Sequence, residues 1–347
     1  MNMKTKEKNK KIIKIVKYII LGLAIFGCVC FLIWSVMVAR GKAQLKKPME
    51  LGPEETEEAQ VSTEEIFWNG DVYEYREGLI TILCLGIDGR EEAEENTEFG
   101  FGPRADSIFL AVLDLEQEKV TLLNISRDSM ANVRVIDSLG QEIGLWQMQI
   151  GLQYANGDGL DGSCQLMANA VSDLLNGIPI HGYCALYWNG IGALHDVIGP
   201  VEVTVSEELK QLDSKRFQES GLVELNSEQI MVYVQGRDTK VSGSNEERSG
   251  RQKEYLHALY RAVREKIQKN PMSIFSIRKA VSPYLVTDFT LSEMLALLSW
   301  ARDWNMEEIE ICPLAGENVY GDFQDEFWID QEQKEELIVE LFYKKRY

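Results

Sequence analysis

The chain has 347 residues, of which 45% are apolar and 26% are charged, and this composition excludes a disordered or fibrous protein. Its formal net charge of −19 is unevenly distributed, because residues 1–47 hold eleven Lys and Arg against one Glu, which leaves −29 on residues 48–347. So acidic a surface argues against nucleic-acid binding, since phosphates are met by clustered Lys and Arg.

The first predicted element is a transmembrane helix over residues 18–38, an uncharged run of 21 residues. This length is close to the ~20 residues that an apolar helix needs to cross a bilayer. Seven Lys precede the run and four basic residues follow it, so the positive-inside bias places residues 1–17 in the cytoplasm as a basic tail. A cleaved signal peptide is the alternative, but the run is longer than a usual h-region and no A-x-A site closes it. We therefore predict a single-pass protein of the cell membrane with an extracellular C-terminal domain.

Residues 39–77 hold two prolines and an acidic run, and they are predicted to form a solvated stalk or linker. The folded domain is predicted over residues 78–347. Continuous apolar runs and period-2 patterns predict strands at 79–87, 107–115, 119–125, 183–187, 201–205 and 309–314. A 3.6-residue period and capping residues predict helices at 142–155, 164–176, 189–197, 227–235, 246–269 and 291–303. The alternation indicates an α/β fold with a layered central β-sheet flanked by helices.

Charged residues lie where the predicted strands begin and end. Asp88 follows the first strand, and Arg104 and Asp106 come just before the second. Strand ends at a crevice in an open α/β sheet are the usual position of a ligand. Two carboxylates that meet there could hold a hard cation such as Mg²⁺, with waters and phosphate oxygens as the other ligands. A solvated loop carboxylate, or one paired with Arg104, explains each Asp about equally well.

Arginines gather near strand and helix ends although the domain is acidic. These arginines are Arg127, Arg237, Arg248 and Arg251. Arg248 and Arg251 share one face of a predicted helix with Gln252. Guanidinium groups bind phosphate oxygens bidentately and stay charged when partly desolvated. Several that converge would form a diphosphate pocket, whereas surface ion pairs explain the spacing comparably well. Arg134 is expected to pair with a neighbouring Glu. The six Cys include no CxxC pair and, with only three His, predict neither a zinc site nor a disulfide framework.

The order of these motifs resembles that of the LytR-CpsA-Psr family over roughly residues 79–265. The matching segments are LGID (85–88), RADS (104–107), NISRD (124–128), IGLQYANGDG (150–159), the stretch 180–203, YVQGRD (233–238) and ERSGRQ (247–252). Members of this family are phosphotransferases of Gram-positive envelopes. They move a glycopolymer, such as wall teichoic acid or capsular polysaccharide, from an undecaprenyl diphosphate carrier onto peptidoglycan. The resemblance implies the same fold, activity, polyprenyl-linked donor and peptidoglycan acceptor for this chain.

The resemblance also implies roles for single residues. Asp88 and Asp106 match acidic positions that bind Mg²⁺ (or Mn²⁺) beside the diphosphate, and either could be the base for an incoming sugar hydroxyl. The residues that match phosphate-binding side chains are Arg104, Arg127, Arg237, Arg248, Arg251 and Gln252. Arg127 is predicted to be catalytic together with Asp88 and Asp106.

Four positions depart from the family pattern. The family commonly has Arg where Gln235 stands, Pro at Ser126, Asn at Gly151 and Asp at Asn245. A missing guanidinium would weaken diphosphate binding, since a charge-assisted hydrogen bond contributes roughly 1.5–3 kcal/mol. Two alternatives therefore stay open: a polyprenyl-diphosphate hydrolase with water as nucleophile, and a non-catalytic, lipid-binding envelope regulator. A DNA-binding attenuator is disfavoured, because an exported acidic domain cannot reach DNA.

Overall fold

A computed structural model describes residues 32–51, 65–89, 91–96, 98–236, 244–304, 309–321 and 325–346, without the side chains of 231, 235, 244–249 and 303. Most of the predicted transmembrane helix, and the acidic run after Pro53, lie outside the described residues. Residues 32–44 are helical and are designated α1. Among the residues described, helices are too short or too polar to cross a membrane.

The elements follow one another along the chain as a mixture of strands and helices. The strands are β1 (Glu65–Trp68), β2 (Asp71–Tyr75), β3 (Leu79–Ile87), β4 (Ala105–Asp114), β5 (Lys119–Ile125), β6 (Met130–Ile136), β7 (Glu142–Gln149), β8 (Gly182–Tyr187), β9 (Val201–Val205), β10 (Gly221–Leu225), β11 (Leu285–Thr287), β12 (Glu310–Pro313), β13 (Gly316–Tyr320), β14 (Asp325–Ile329) and β15 (Tyr343–Lys345). The helices after α1 are α2 (Asp161–Leu174), α3 (Trp188–Ile198), α4 (Glu207–Leu212), α5 (Ser227–Gln235), α6 (Ser244–Lys269), α7 (Ser273–Val281), α8 (Leu291–Asp303) and α9 (Gln331–Phe342).

Six strands form a central mixed sheet in the order β11-β8-β3-β4-β5-β12. The pairs β3–β8 and β5–β12 are parallel, and β3–β4, β4–β5 and β8–β11 are antiparallel. One face of the sheet packs against α2 and α9, which contribute Met167 and Phe342 to its core. The other face packs against α8 and the segment after α1, through Trp300 and Leu45. The layered sheet flanked by helices is therefore confirmed for the described part of the chain.

A second core lies beside the central sheet. The antiparallel pair β9–β10 packs against α5 and α6, with Val203, Ile230 and Tyr255 among its buried residues. Helix α5 begins with a capping box in which the Asn226 side chain accepts from the Gln229 backbone N–H and the Gln229 side chain accepts in return from the Asn226 N–H. Helix α6 of this second core contains two of the predicted site residues, Arg251 and Gln252.

Several sequence predictions agree with the structure residue for residue. These are the strands 79–87, 119–125 and 201–205 and the helices 227–235 and 291–303. The helix predicted at 142–155 is wrong, because residues 142–149 form β7 and pair with β6, and two 3-10 turns follow. Gly144, with φ of 129°, lies where the β6–β7 register shifts, and this pairing across a hairpin overrides the apolar pattern of the segment.

The predicted stalk at 39–77 is also partly wrong. Leu45 is fully buried against the central sheet, and β1 and β2 form a small sheet with β15. The partner strand lies near the C-terminus, so no local pattern revealed the pairing. At Gly41, a Cβ atom would collide with the carbonyl oxygen of Ser292, so the end of α1 packs directly on the first turn of α8. Leu45 and residues 65–75 therefore belong to the folded domain.

The tryptophans of the C-terminal part divide into two kinds. Trp300 and Trp304 stack on each other in the core, with ring centroids 5.9 Å apart. Trp328 lies on β14, and 43% of the residue is exposed. A two-stranded sheet has one face on the domain and one in solvent, and the sequence does not show which face carries the indole.

Candidate functional site

Two backbone segments are clamped together where β3 ends and β4 begins. The Asp88 N–H donates to the Arg104 carbonyl at 3.0 Å, and the Arg104 N–H donates to Asp88 Oδ1 at 2.6 Å. Asp106 lies inside β4 instead of just before it, two residues after Arg104. The clamp fixes both carboxylates at one edge of the central sheet, as the strand-end spacing predicted.

Arg127 joins this group from the neighbouring strand end. It follows β5, and its Nη1 donates to Asp106 Oδ1, while its Nε lies 3.5 Å from Asp128 Oδ1. Burial of about half the guanidinium opposes its charge, but Asp106, Asp128 and Asp88 together raise the pKa of Arg127. With 52% of the side chain exposed, Arg127 is a permanent cation within reach of a ligand from solvent.

The carboxylates fit a hard divalent cation by their donor chemistry. Asp88 and Asp106 each use Oδ1 for the contacts above, which leaves Oδ2 of each for a further ligand. In the part of the chain that the structure describes, no cluster of three or more His, Cys, Asp or Glu could hold a metal. Mg²⁺ commonly takes only one or two carboxylates, with waters and substrate phosphates. The pair therefore suits a cation that binds together with a phosphate ligand.

Arg251 and Gln252 occupy a different place, at the junction of α5 and α6. Arg251 Nε donates to the Tyr233 carbonyl at 2.8 Å, Arg251 Nη2 donates to the Gly236 carbonyl, and Gln252 Nε2 donates to the Val234 carbonyl at 3.1 Å. These carbonyls lie in the last turn of α5 and at the residue after it, so the two side chains cap that helix. The sequence predicted that these two side chains contact a diphosphate. In the structure they bind backbone carbonyls.

The structure thus brings four of the predicted residues together: Asp88, Arg104, Asp106 and Arg127. Arg237 lies outside the described residues, and the side chain of Arg248, on α6, is not described. Convergence of all the arginines on one diphosphate stays a prediction. The expected ion pair of Arg134 is confirmed, because its Nη1 donates to Glu142 Oε2 at 2.6 Å.

We call Asp88, Arg104, Asp106 and Arg127 the strand-end group. Two further polar residues beside it were not predicted as site residues from the sequence. Asp128 lies beside the Arg127 guanidinium, and the buried Gln149 donates from Nε2 to Asp128 Oδ1 at 3.2 Å. The NISRD segment carried the signal for Asp128, since it places an acid next to the arginine. Nothing local indicates Gln149, because it reaches Asp128 from the end of the β6–β7 hairpin.

Gly151 supports Arg127 from behind. Its N–H donates to the Arg127 carbonyl at 2.9 Å, and a Cβ atom at this position would stand 2.8 Å from the Ala105 carbonyl oxygen and 3.1 Å from Arg127 Cβ. Only a residue without a side chain allows this approach on the present backbone. The departure from the family's Asn therefore has a structural basis next to the site.

A cavity of about 380 Å³ lies between α3 and α5. Ile191, Ile230 and Tyr284 contribute apolar surface to it. The backbone N–H of Trp188, which also lines the cavity, donates to the carbonyl of Gly89 at 3.0 Å, and Gly89 follows Asp88 in the chain. The cavity is therefore linked through one backbone hydrogen bond to the residue next to Asp88.

Comparison with known proteins shows what the chain is similar to. The model of the LytR_cpsA_psr family matches residues 38–342. No curated protein sequence matches the chain.

Similar solved structures include TagT bound to LIIa-WTA, at 19% identity and a TM-score of 0.57, over 85% of this chain and 95% of that chain. TagV of B. subtilis is 21% identical with a TM-score of 0.56, over 77% of this chain and 96% of its own. A putative transcriptional factor of Listeria monocytogenes, Lmo1026, is 23% identical with a TM-score of 0.52, over 76% of this chain and 95% of that chain. These likenesses show a shared fold.

Proposed function

The chain belongs to the LytR-CpsA-Psr family, and from that premise we propose that it is a membrane-anchored extracellular phosphotransferase. Its donor would be a glycopolymer, such as teichoic acid or capsular polysaccharide, on a polyprenyl diphosphate, and its acceptor would be peptidoglycan. The observation that carries the proposal is Arg127, held between Asp106 and Asp128 at the strand ends beside Asp88. The bound LIIa-WTA of TagT supports a wall glycopolymer as the donor.

Recognition of the diphosphate falls to Arg127 and Arg104. Both side chains are exposed at the edge where Asp88 and Asp106 are clamped, so they can reach phosphate oxygens without a change of fold. A planar guanidinium presents two parallel N–H donors to a phosphate, and it stays charged in a partly dry site. A bound phosphate would compete with Asp106 for Arg127 and release that carboxylate for the chemical step.

The chemical step needs a base and stabilisation of developing charge. The acceptor hydroxyl attacks the phosphorus that bears the polymer, its proton passes to Asp106 or Asp88, and the bond to the carrier phosphate breaks. Polyprenyl phosphate leaves with the electron pair of that bond, and the polymer stays attached through the transferred phosphoryl group. Arg127 neutralises the charge that grows on the phosphate oxygens. Mg²⁺ (or Mn²⁺), held by Asp88 and Asp106, would add positive charge at the same oxygens.

An extracellular position for the domain rests on the sequence. The Lys-rich start and the apolar run at 18–38 support a cytoplasmic N-terminus. If this is right, protease added to intact protoplasts removes the domain. A domain that survives protease until the membrane is permeabilised would reverse the proposed orientation.

The function is tested by transfer in vitro with a matched pair of variants. Full-length protein in detergent is given a synthetic polyprenyl diphosphate glycan, polymer-free peptidoglycan and Mg²⁺, and polyprenyl phosphate and polymer-bound peptidoglycan are measured by mass spectrometry. Asp106→Asn removes the charge with little change of shape and is expected to abolish transfer. Asp213→Asn is the control, since Asp213 also pairs with an arginine, Arg216, but on the surface after α4.

The outcomes separate three functions. Polymer on peptidoglycan in the parent and in Asp213→Asn, but not in Asp106→Asn, supports the transferase. Free polymer phosphate at the same rate without acceptor identifies a hydrolase. Tight binding of the lipid with no product in any variant identifies a non-catalytic regulator. Parent-like transfer by Asp106→Asn would remove this carboxylate from the mechanism.

A further inference from the structure

The β13–β14 hairpin presents an indole and carboxylates on one face. In its register Glu317 is opposite Trp328 and Val319 is opposite Glu326, so these four side chains share a face of the two-stranded sheet. The Trp328 Nε1 donates to Glu326 Oε2 at 3.0 Å, which holds the indole by its edge. With 43% of Trp328 exposed, a large flat apolar surface faces solvent on this hairpin.

A cavity of about 590 Å³ lies against this hairpin and the start of α9. Its lining includes Leu314, Phe327 and Trp328 as apolar surface and Glu317, Asp330 and Gln333 as polar groups. The Gln333 backbone and side chain both donate to Asp330 and lower the pKa of its carboxyl, so this carboxylate stays ionised. The described lining has no Lys or Arg. The volume is in the range of small-molecule sites, and the charge is negative.

The hairpin is bonded to the strand-end group. The Phe327 N–H donates to the Asp128 carbonyl at 2.8 Å, and the buried Ser129 forms a parallel bridge with Phe327. Gln149, which binds the Asp128 side chain, also donates from Nε2 to the Asp325 carbonyl. The backbone of Phe327, which lines the cavity, is therefore bonded to the residue that follows Arg127. The cavity wall and the backbone next to the guanidinium proposed to bind phosphate are thus held together by hydrogen bonds.

The lining selects one class of ligand by its chemistry. A pyranose ring has an apolar C–H face that can lie flat on an indole and hydroxyls that donate to carboxylates and accept from amides. A polyanion is disfavoured, because Glu317 and Asp330 would repel it and no cation would pair with it. We propose that this cavity, defined by Trp328, Glu317, Asp330 and Gln333, binds a neutral sugar segment of the acceptor glycan strand. The inference rests on the proposed function, because it assigns the acceptor of the same reaction.

The repulsion also gives the cavity a role in specificity. The donor polymer, if it is a teichoic acid, is a polyphosphate, and the same carboxylates that receive sugar hydroxyls would keep it out of the acceptor position. The diphosphate end of the donor would be held by Arg127, outside the residues that line the cavity. Donor and acceptor would thus be sorted by charge.

The test measures sugar binding separately from diphosphate binding. Full-length protein in detergent is titrated calorimetrically with chitotetraose, a neutral N-acetylated sugar chain, and in parallel with tetragalacturonate, an anionic one, and with farnesyl diphosphate. The parent is expected to bind chitotetraose and not tetragalacturonate. Trp328→Ala should weaken chitotetraose binding by about tenfold or more, which is about 1.4 kcal/mol. Trp328→Phe should retain most of the affinity, which guards against a variant that fails to fold.

The matched control is Tyr320→Ala. Tyr320 is an aromatic residue of the same hairpin, 80% exposed, but it does not line the cavity, so its removal should leave chitotetraose binding unchanged. Chitotetraose binding that is absent in the parent, or equal in the parent and Trp328→Ala, overturns the proposal. Preference for tetragalacturonate overturns it as well. Farnesyl diphosphate should bind equally well to the parent and to all these variants. If the parent binds chitotetraose but not farnesyl diphosphate, the proposed function is contradicted and the sugar site is not.

Discussion

Two groups of polar side chains in this molecule use similar residues for different purposes. At the strand ends, Arg127 binds the carboxylates of Asp106 and Asp128, and half of its surface is open to solvent. At the α5–α6 junction, Arg251 binds the backbone carbonyls of Tyr233 and Gly236. A guanidinium paired with carboxylates can exchange them for a phosphate at small cost, because both are anions. A guanidinium that caps a helix can bind another ligand only if it leaves the backbone carbonyls without their hydrogen-bond donor.

The difference shows that an arginine in an acidic domain is not by itself a phosphate ligand. Whether it can bind phosphate depends on the groups that it contacts, and the tertiary structure determines those groups. The variants below test whether the two groups behave as differently as their contacts indicate.

The largest effect is expected from Arg127→Lys. A lysine keeps the charge but loses the planar fork, so transfer should fall by about 10²- to 10³-fold, the usual effect of removing one preorganised donor. The melting temperature should move little, because exposed ion pairs contribute about 0–1 kcal/mol. Arg216→Lys is the control, since that arginine is 50% exposed and also pairs with an Asp. Transfer at the parent rate in Arg127→Lys would make Arg127 an ordinary ion-pair partner.

For Arg251→Lys the expected loss is in stability. An ammonium cannot span both carbonyls in the plane of a guanidinium, so the unfolding free energy measured in urea should fall by about 1–3 kcal/mol. Arg278→Lys, at the exposed end of α7, should change it by less than about 0.5 kcal/mol. Equal stability of the two variants would mean that the cap of α5 contributes nothing.

Gly151→Ala examines the support behind Arg127. The added methyl would press on the Ala105 carbonyl, so the backbone must shift, and a loss of about 1–3 kcal/mol in unfolding free energy is expected. Gly250→Ala in α6 is the opposite case, because its Cβ would meet open space, and a gain of about 0.5–1 kcal/mol is expected from helix propensity. If both changes stabilise the protein, the close approach at Gly151 is not a constraint.

The smallest effect is expected from His181, whose side chain is hydrogen-bonded to the backbone of Thr81. The Thr81 N–H donates to His181 Nδ1 at 3.1 Å, and burial lowers the pKa of His181 to about 4. An unfolded histidine has a pKa of ~6.5, so the unfolded chain gains a proton between these values while the folded protein does not. Stability should therefore be unaffected by His181 above that window and fall as the pH drops through it, by on the order of 1–2 kcal/mol.

His181→Asn separates this contribution from the titration of carboxylates. The amide oxygen of Asn can still accept from Thr81, but it does not titrate. Urea unfolding at about pH 7 and about pH 5 should show a smaller drop in stability for the variant than for the parent. An identical drop would assign the acid sensitivity to other groups.

Local signals in the sequence were sufficient for the elements whose cause is local. Helix α5 begins at its capping box, and the strands β3 and β5 are apolar runs bounded by turns. Asp88 and Arg127 each follow an apolar strand in the sequence, and both lie at one edge of the sheet because β3 and β5 run in the same direction on either side of β4. The motif order was also sufficient for the family, which the match over residues 38–342 shows.

Tertiary structure decided the features whose partners are distant in the chain. β1 and β2 have their third strand at 343–345, and β7 is a strand because β6 pairs with it, so neither is visible in a local period. Gln149 and the β13–β14 hairpin reach Asp128 only after folding. Burial is likewise a global property, and for this reason two tryptophans of the C-terminal part are core while Trp328 is exposed. The sequence alone determined which residue types stand at the strand ends, and the fold determined what each of them contacts.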